Sequence, residues 1–205
     1  MKIICVGWNY RKHCKELGGD TTPTIPTIFL KPETALLKDN KPVYIPDFTE
    51  RLECEVEVIV RINRLGKGIA EKFANRYYAE VGLGIDFTAR DMQMEACSSG
   101  EPWDLCKGFD CSAPISGFIP LTELGGDVQN LDFRLDIDGK TVQEGNTKDM
   151  IFSVDAIISY ISRYYTVKIG DILFTGSPKG ADAVSIGNHI EGWLCGRKML
   201  DFYIK

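Results

Sequence analysis

Three glutamates on one predicted strand are the residues whose spacing first suggests chemistry. Over residues 53–60 the side chains alternate with a period of two, so Glu53, Glu55 and Glu57 share one strand face with Ile59. Neighbours on such a face lie roughly 7 Å apart, and three carboxylates in a row repel one another. A solvated acidic face is the plain alternative, but Ile59 indicates that this face is at least partly covered. A covered acidic row needs a cation, which is either a basic side chain or a metal ion.

The remaining candidate ligands decide which metal such a site would hold. Asp86 ends a glycine-rich predicted strand and is a further carboxylate candidate. The sequence has two histidines, His13 and His189, and its seven cysteines form no Cys-x-x-Cys pair, which argues against zinc. A site built from Glu55, Glu57 and Asp86 would offer only oxygen ligands, which suit Mg²⁺ or Mn²⁺.

His13 and Glu16 are a second candidate pair, because a helix would place residues three apart on one face. Gly18-Gly19 and the Thr/Pro loop over 20–26 follow them, and the glycines supply the backbone freedom that a lid requires. On spacing alone, a surface loop with an incidental charge pair is the favoured interpretation.

The elements that must position these residues are mostly short strands. Apolar runs and alternation predict strands at residues 2–7, 28–32, 53–60, 81–88, 131–137, 171–175, 190–195 and 199–204, with an extended piece over 42–46. Asp138-Gly139 predicts a hairpin turn, and Ser153 is predicted to cap a helix that continues to Ile161. Residues 69–77 are predicted as a short helix, 88–102 as beginning with a helical turn, and 103–114 as irregular. We therefore expect a β-rich α+β fold with few short helices, in one domain over residues 1–205.

Composition limits the classes of partner. The chain has 24 basic and 29 acidic residues, a net charge of −5, which argues against a nucleic-acid surface. No apolar run approaches the ~20 residues that a membrane span needs, and the apolar start over residues 3–6 is too short for a signal peptide. Seven scattered cysteines without an export signal predict reduced thiols and a cytoplasmic protein.

Five motifs in a fixed order carry a resemblance to a known family. They are Gly7-Trp8-Asn9-Tyr10 with His13 and Glu16, Phe29-Leu30-Lys31-Pro32, Glu55-Val56-Glu57, Asp86-Phe87-Thr88-Ala89-Arg90-Asp91 and Thr175-Gly176-Ser177-Pro178-Lys179-Gly180. From about residue 3 to 204 the chain resembles the fumarylacetoacetate hydrolase superfamily. It is most similar to the short single-domain branch of acylpyruvate hydrolases and oxaloacetate decarboxylases. The resemblance implies mixed β-sheets rolled around a central site, and a homodimer.

The resemblance also implies roles for individual residues. Glu55, Glu57 and Asp86 would bind Mg²⁺ or Mn²⁺, and His13 with Glu16 would form a catalytic dyad on a lid that closes over substrate. Lys107 would add positive charge at the reacting end of the substrate. The residues expected around the substrate are Lys31, Arg90, Gln93 and Ser177. Trp8 stands where many relatives carry arginine and Ser177 where they carry threonine, which leaves substrate preference open.

These roles imply an enzyme that acts on short 2-keto acids. A 2-keto acid chelates the metal through its carboxylate and keto oxygens, and cleavage of the carbon–carbon bond beyond them leaves an enolate. We therefore expect a hydrolase or decarboxylase that releases pyruvate from acylpyruvates or oxaloacetate. An isomerase or tautomerase of 2-hydroxy-dienoate or oxaloacetate-type substrates is the alternative. A non-catalytic module that binds metal and keto acid is a third hypothesis, but such a module would have no use for the His13–Glu16 pair.

Overall fold

A computed structural model describes residues 1–12 and 22–205, so the predicted dyad of His13 and Glu16 lies outside the described residues. Fifteen strands and three α-helices are named within the described part. The strands are β1 (Ile3–Gly7), β2 (Thr27–Lys31), β3 (Leu36–Leu37), β4 (Leu52–Cys54), β5 (Val56–Ile62), β6 (Tyr78–Ile85), β7 (Thr88–Ala89), β8 (Ala113–Pro114), β9 (Ile119–Pro120), β10 (Asp132–Ile137), β11 (Lys140–Asn146), β12 (Ile172–Phe174), β13 (Asp182–Ala183), β14 (His189–Leu194) and β15 (Arg197–Tyr203). The helices are α1 (Arg90–Ser99), α2 (Asp104–Lys107) and α3 (Val154–Ser162).

The strands form four sheets. The largest has the order β2-β1-β12-β5-β6-β9, in which only β1 and β12 are parallel. A four-stranded antiparallel sheet has the order β11-β10-β14-β15, and β13-β4-β7 and β3-β8 are two small sheets. This architecture confirms the expected β-rich α+β fold with mixed sheets and few short helices. None of the helices in the described residues has the length and apolar character that crossing a membrane requires.

Strand β5 separates two parts of the core, which explains why both of its faces are buried. Val56, Val58 and Val60 belong to the larger apolar cluster, whereas Ile59 packs with Phe174 in the smaller one. The acidic face of the predicted strand is therefore covered, as Ile59 indicated. The strand is nevertheless interrupted at Glu55, because its carbonyl accepts from Asp86 N and the next amide, Val56 N, donates to a side chain.

Glycines in β6 permit two close approaches to its backbone. A Cβ at Gly84 would lie 2.4 Å from the ring of Phe174, and one at Gly82 would lie 2.9 Å from Ser116 Oγ. The sequence predicted such an approach from glycine inside a strand. Side chains at these positions would push β6 away from its neighbours, and the residue that follows β6 is Asp86.

Several local predictions are confirmed and others are corrected. Asp138 and Gly139 both have positive φ, as the hairpin turn between β10 and β11 requires, and Ser153 Oγ accepts from Ala156 N at the start of α3. Residues 88–102 hold the complete helix α1, which ends at the left-handed Gly100. Residues 103–114 contain α2, 69–77 form a 3₁₀ turn over Glu71–Arg76, and 42–46 contribute only a bridge at Val43. Because each of these segments is short, its conformation depends more on contacts with the rest of the fold than on its local sequence pattern.

Candidate active site

Three buried carboxylates lie close together where β5 begins and the neighbouring strand β6 ends. Glu55 precedes β5, Glu57 lies within it, and Asp86 follows the last residue of β6. Because Val56 pairs with Ile85 in register, the residues on either side of this pair come close together. One oxygen from each carboxylate lies within 4.8 Å of the other two, and all three side chains are buried. The structure therefore brings together Glu55 and Glu57, which spacing placed on one strand face, and Asp86, which was a candidate from its position at the end of a glycine-rich strand.

The ammonium of Lys107 lies between two of these carboxylates. At the end of α2, its Nζ is 2.7 Å from Glu55 Oε2 and 2.6 Å from Asp86 Oδ2, and it donates to Thr88 Oγ1 at 2.5 Å. Burial disfavours the charge on this amine, but the carboxylates of Asp86 and Glu55 outweigh it and raise the pKa of Lys107. Lys107 is therefore a stand-in cation within the acidic cluster.

Arg90, the first residue of α1, neutralises the outer side of the cluster. Its Nε donates to Glu53 Oε2 at 2.6 Å, and its other nitrogens donate to Glu55 Oε1 and to Gln93 Oε1. Burial opposes the charge of the guanidinium, but Glu55 and Glu53 raise the pKa of Arg90 overall. Arg90 was predicted to contact substrate, and the structure places it as the partner that holds Glu55.

Lys31 contacts the carboxylate cluster through Asp86. Its Nζ lies 2.8 Å from Asp86 Oδ1 and donates to Ser112 Oγ at 3.0 Å and to the carbonyl of Lys107. The side chain of Lys31 is fully buried and does not belong to the cavity lining. Its contacts are therefore those of a residue that orients Asp86 and α2, whereas the sequence predicted a contact with substrate.

Glu57 differs from the other carboxylates in its partners. Within the described part of the chain it has no ion-pair partner, and Gly176 N donates to its Oε2 at 2.6 Å. Burial, and then the charge of Asp86, raise the pKa of Glu57, so they outweigh the hydrogen bond from Gly176 N and the positive charge of Lys107. Glu55 and Asp86 share the Lys107 ammonium, whereas Glu57 has no ion-pair partner among the described residues. A divalent ion held by all three carboxylates would supply the positive charge that Glu57 needs. The oxygen-only donor set fits Mg²⁺ or Mn²⁺.

Gly176 and Asn9 hold the loop that reaches Glu57. Gly176 has a φ of +100°, and a Cβ there would lie 2.6 Å from the Cβ of Asn9, so only glycine fits. Asn9 Nδ2 donates to the carbonyls of Thr175 and Phe152 at 2.7 and 3.1 Å, and its Oδ1 accepts from Phe152 N at 2.8 Å. The sequence showed Asn9 and Gly176 only as motif members and carried no signal for this cross-link.

Ser177 and Gln93 line the cavity above the carboxylates. Gln143 on β11 donates from Nε2 to Ser177 Oγ at 2.9 Å, and its Oε1 accepts from Val56 N at 2.8 Å. The Ser177 hydroxyl itself donates to the carbonyl of Pro178 at a long 3.4 Å. Gln93, whose Oε1 accepts from Arg90, keeps its amide nitrogen as a donor. Sequence analysis missed Gln143, because nothing in the alternation of a hairpin strand distinguishes a buried glutamine.

Aromatic side chains form the other wall of this cavity. Trp103 meets Trp8 and Phe29 edge to face, with ring centroids 5.1 and 5.7 Å apart. The free volume is about 20 Å³, which is room for about one water. A substrate bound with a metal ion therefore needs more space than the described side chains leave in this cavity.

The structure brings together most of the predicted site residues. Eight of them contact the same cluster or cavity: Lys31, Glu55, Glu57, Asp86, Arg90, Gln93, Lys107 and Ser177. His13 and Glu16 lie outside the described residues, so their role as a dyad stays a prediction. His189, the other histidine, lies in β14 and pairs with Asp201.

Comparison with known proteins agrees with this geometry. The family profile described as "Fumarylacetoacetate (FAA) hydrolase C-terminal" matches residues 2–200. Oxaloacetate tautomerase YcgM of Escherichia coli (strain K12) is 39% identical over 189 residues, which cover 92% of this chain and 86% of that protein. A mitochondrial oxaloacetate tautomerase of Arabidopsis thaliana is 40% identical over 204 residues, which cover 100% and 91%.

A solved structure provides a third comparison. Fumarylpyruvate hydrolase from Pseudomonas aeruginosa, crystallised in complex with Mn²⁺ and pyruvate, superimposes with a TM-score of 0.94 at 31% identity. The match covers 100% of this chain and 89% of that one. Because the profile spans residues 2–200 and the similar proteins match more than 90% of this chain at 31–40% identity, the chain belongs to the fumarylacetoacetate hydrolase family.

Proposed function

We propose that this protein is a Mg²⁺- or Mn²⁺-dependent tautomerase of oxaloacetate or a closely similar short 2-keto acid. The observation that carries the proposal is the buried cluster of Glu55, Glu57 and Asp86 in a chain 39–40% identical to oxaloacetate tautomerases over almost its whole length. Tautomerisation was the alternative in the sequence analysis, and the relatives now favour it over carbon–carbon cleavage.

Glu55, Glu57 and Asp86 would hold the divalent ion. The ion supplies Lewis acidity, which stabilises negative charge on the enolate oxygen of the substrate. The Lys107 ammonium, which lies between Glu55 and Asp86, would add a second positive charge to stabilise that oxygen. Arg90 keeps Glu55 oriented through Glu53 and Gln93, so the ligand geometry is held before substrate arrives.

The remaining groups bind the substrate and move a proton. Ser177 Oγ would turn its proton from the long 3.4 Å bond to the Pro178 carbonyl toward a substrate carboxylate, and the Gln93 amide nitrogen would donate to a second oxygen. Trp8, Phe29 and Trp103 exclude water from this wall of the cavity. His13, oriented by Glu16, would remove and return the proton on the carbon beside the keto group, as the family resemblance implies.

Carbon–carbon cleavage is the second candidate function. The fumarylpyruvate hydrolase of similar fold contains Mn²⁺ and pyruvate, which is the metal and product expected of that reaction. Hydrolysis and decarboxylation also pass through an enolate, so the described residues would serve them equally well. The two candidates differ in what happens after the enolate forms.

The deciding experiment measures both outcomes on the same substrate. Enol oxaloacetate is mixed with enzyme and Mn²⁺, loss of the enol is followed by ultraviolet absorbance, and pyruvate is followed by coupling to lactate dehydrogenase. We expect enol–keto exchange to accelerate without pyruvate above the metal-only background, and to stop in excess chelator. Glu57→Gln should abolish the acceleration, whereas Glu123→Gln, an exposed surface change, should not. Rapid pyruvate release from oxaloacetate or an acylpyruvate would assign the cleavage reaction instead.

The assembly and location of the protein are also proposals. Among the described residues, β2 and β9 are the edge strands of the large sheet, and β11 is one edge strand of the four-stranded sheet. The other edge strand, β15, is covered only near its end, where Val43 N donates to the Tyr203 carbonyl. Covering such edges is one reason for the homodimer that the family resemblance implies. A cytoplasmic location rests on the sequence alone, since the similar proteins include a bacterial enzyme and a mitochondrial one.

A further inference from the structure

Trp8 lines the active-site cavity and has an unusual backbone conformation. Its φ is 58°, in the left-handed region that a bulky side chain rarely adopts because of steric strain. Both neighbours hold this conformation in place. Gly7 pairs with β2, and the buried Asn9 side chain forms hydrogen bonds with the backbone of Phe152 and Thr175. Backbone strain that the surrounding fold maintains in this way is typical of functional positions.

Trp8 belongs to an aromatic wall that it forms with Phe29 and Trp103. Trp103 meets Trp8 edge to face, with ring centroids 5.1 Å apart, and it packs over Gly7, where a Cβ would lie 3.2 Å from its ring. The Lys107 ammonium lies 5.4 Å from the centroid of the Phe29 ring. The three side chains of this wall carry no charge, so they offer a substrate mainly apolar surface.

Positive charge in the cavity lining is already matched by carboxylates of the protein. Among the described residues, the cations of the lining are Arg90 and Lys107. Arg90 pairs with Glu53 and Glu55, and Lys107 pairs with Glu55 and Asp86. Glu53 does not line the cavity, so it neutralises Arg90 from behind without facing the substrate. A substrate anion therefore meets no cation in this lining that lacks a counter-charge.

The charge balance of the buried cluster suits a substrate with one carboxylate. Four buried carboxylates face three buried cations in the described chain, and a bound divalent ion would leave one net positive charge. The chelating carboxylate of a 2-keto acid balances that charge. Arg51 also pairs with Glu53, but its side chain is 58% exposed and lies outside the lining. A second substrate carboxylate against the aromatic wall would lose water without gaining a partner, which is costly.

We propose that Trp8 is a specificity-determining residue, which contacts the substrate beyond the enolised carbon and selects an uncharged group there over a second carboxylate. This preference rests on the proposed function and narrows its substrate to short 2-keto acids with one carboxylate. Oxaloacetate is then a substrate that binds more weakly. Acetylpyruvate and oxaloacetate form a matched pair for the test, because a methyl group in the first replaces a carboxylate oxygen in the second.

Calorimetric titration of the Mg²⁺-loaded enzyme with each compound measures this preference without relying on turnover. Both compounds are used at keto–enol equilibrium, so tautomerisation releases no net heat. We expect the wild type to bind acetylpyruvate about tenfold more tightly than oxaloacetate. Trp8→Arg places a guanidinium in the aromatic wall and should shift the ratio of the two dissociation constants about tenfold or more toward oxaloacetate, because a carboxylate gains a charged hydrogen-bond partner.

Three further variants separate charge from size and from loss of folding. Trp8→Phe keeps an uncharged ring and should keep the preference for acetylpyruvate. Trp8→Ala removes the contact surface and should weaken acetylpyruvate binding more than oxaloacetate binding, which tests the proposal even if Trp8→Arg fails to fold. Tyr44→Arg adds the same charge at an exposed aromatic residue outside the cavity and should leave the ratio of dissociation constants unchanged. Thermal unfolding establishes that each variant is folded.

Equal or tighter binding of oxaloacetate by the wild type would overturn the proposal, and so would a ratio that neither Trp8→Arg nor Trp8→Ala changes. Nuclear magnetic resonance on the same samples follows exchange of the hydrogens beside the keto group with solvent deuterium, which tests the proposed tautomerase activity. Absence of accelerated exchange with both compounds would refute that activity and leave the binding preference measured. The two proposals therefore fail separately.

Discussion

Replacing Lys107 with methionine removes the ammonium that lies between Glu55 and Asp86, at 2.7 and 2.6 Å. The buried cluster contains four carboxylates, those of Glu53, Glu55, Glu57 and Asp86. Three buried cations face them, Lys31, Arg90 and Lys107, so the variant would leave two against four.

The expected cost follows from this charge balance. Removing one partner of a buried ion pair destabilises a protein by about 3–5 kcal/mol. For a chain of this size that corresponds to a fall in melting temperature of roughly 6–20 °C. The fall applies to the metal-free protein, because a divalent ion would restore the missing positive charge.

The same variant should bind the metal more tightly. In the wild type the incoming ion meets an ammonium inside a cluster whose ligand atoms lie within 4.8 Å of one another. A divalent ion and a unit positive charge about 4 Å apart repel by roughly 8 kcal/mol at an effective dielectric constant of about 20. If about a sixth of this repulsion survives relaxation, Lys107→Met gains about tenfold in metal affinity. Turnover should still fall, since the second positive charge beside the enolate is lost.

Calorimetry with Mn²⁺ and thermal unfolding with and without chelator measure both effects. Lys107→Arg keeps the charge and should retain most of the stability. Arg197→Met is the matched control, because Arg197 pairs with Glu123 at 2.7 Å and both side chains are exposed. Its loss should cost no more than about 1 kcal/mol and leave metal affinity unchanged. Metal binding to Lys107→Met that is weaker than or equal to the wild type would refute the stand-in role of the ammonium.

Four further predictions follow from the other residues. Glu57→Gln should weaken Mn²⁺ binding at least tenfold in calorimetry with little change in the circular dichroism spectrum; undiminished binding would exclude Glu57 as a ligand. His13→Ala should lower the turnover rate by roughly 10²–10⁴ at unchanged metal affinity; near-normal turnover would show that His13 is not the base. Asn9→Ala removes the hydrogen-bond partner of Phe152 N and of the Thr175 carbonyl, and it should lower the free energy of unfolding in urea by about 2–4 kcal/mol. Replacing a surface asparagine other than Asn188 with alanine should not reproduce this loss. Light scattering at micromolar concentration should report a dimer, and a monomer would contradict the proposed assembly.

Alternation along residues 53–60 was enough to predict that Glu55 and Glu57 lie close together on a covered face, but it could not predict that Asp86 joins them. It could not predict the interruption at Glu55, because the groups that take over its hydrogen bonds, Asp86 N and Gln143 Oε1, are distant in sequence. The hairpin at Asp138-Gly139 and helix α3 were predicted correctly, since turn chemistry and capping act over a few residues. Local sequence patterns predict turns and helix starts, but they do not predict hydrogen bonds between residues that are distant in sequence.

The roles of the basic residues were harder to predict for the same reason. Motif order identified Lys31, Arg90 and Lys107 as site residues. Only the structure separates Lys31 and Arg90, which hold the carboxylates, from Lys107, which lies between them. Which role each basic residue takes depends on how deeply its side chain lies below the cavity. A single sequence does not show this depth.

The position of β12 in the large sheet has a consequence for the synthesis of the protein. β12 lies between β1 and β5, although residues 172–174 leave the ribosome long after either neighbour. The N-terminal strand therefore cannot join the sheet until nearly the whole chain has been made, and Gly176, which reaches Glu57, follows directly after β12. During translation the carboxylates of Glu55 and Glu57 therefore remain without the contact from Gly176. The nascent chain also exposes an unfinished sheet edge for most of its elongation. Premature termination before residue 172 would thus yield two half-sheets with no completed site, and the late strand makes full-length synthesis a condition for assembling the carboxylate cluster.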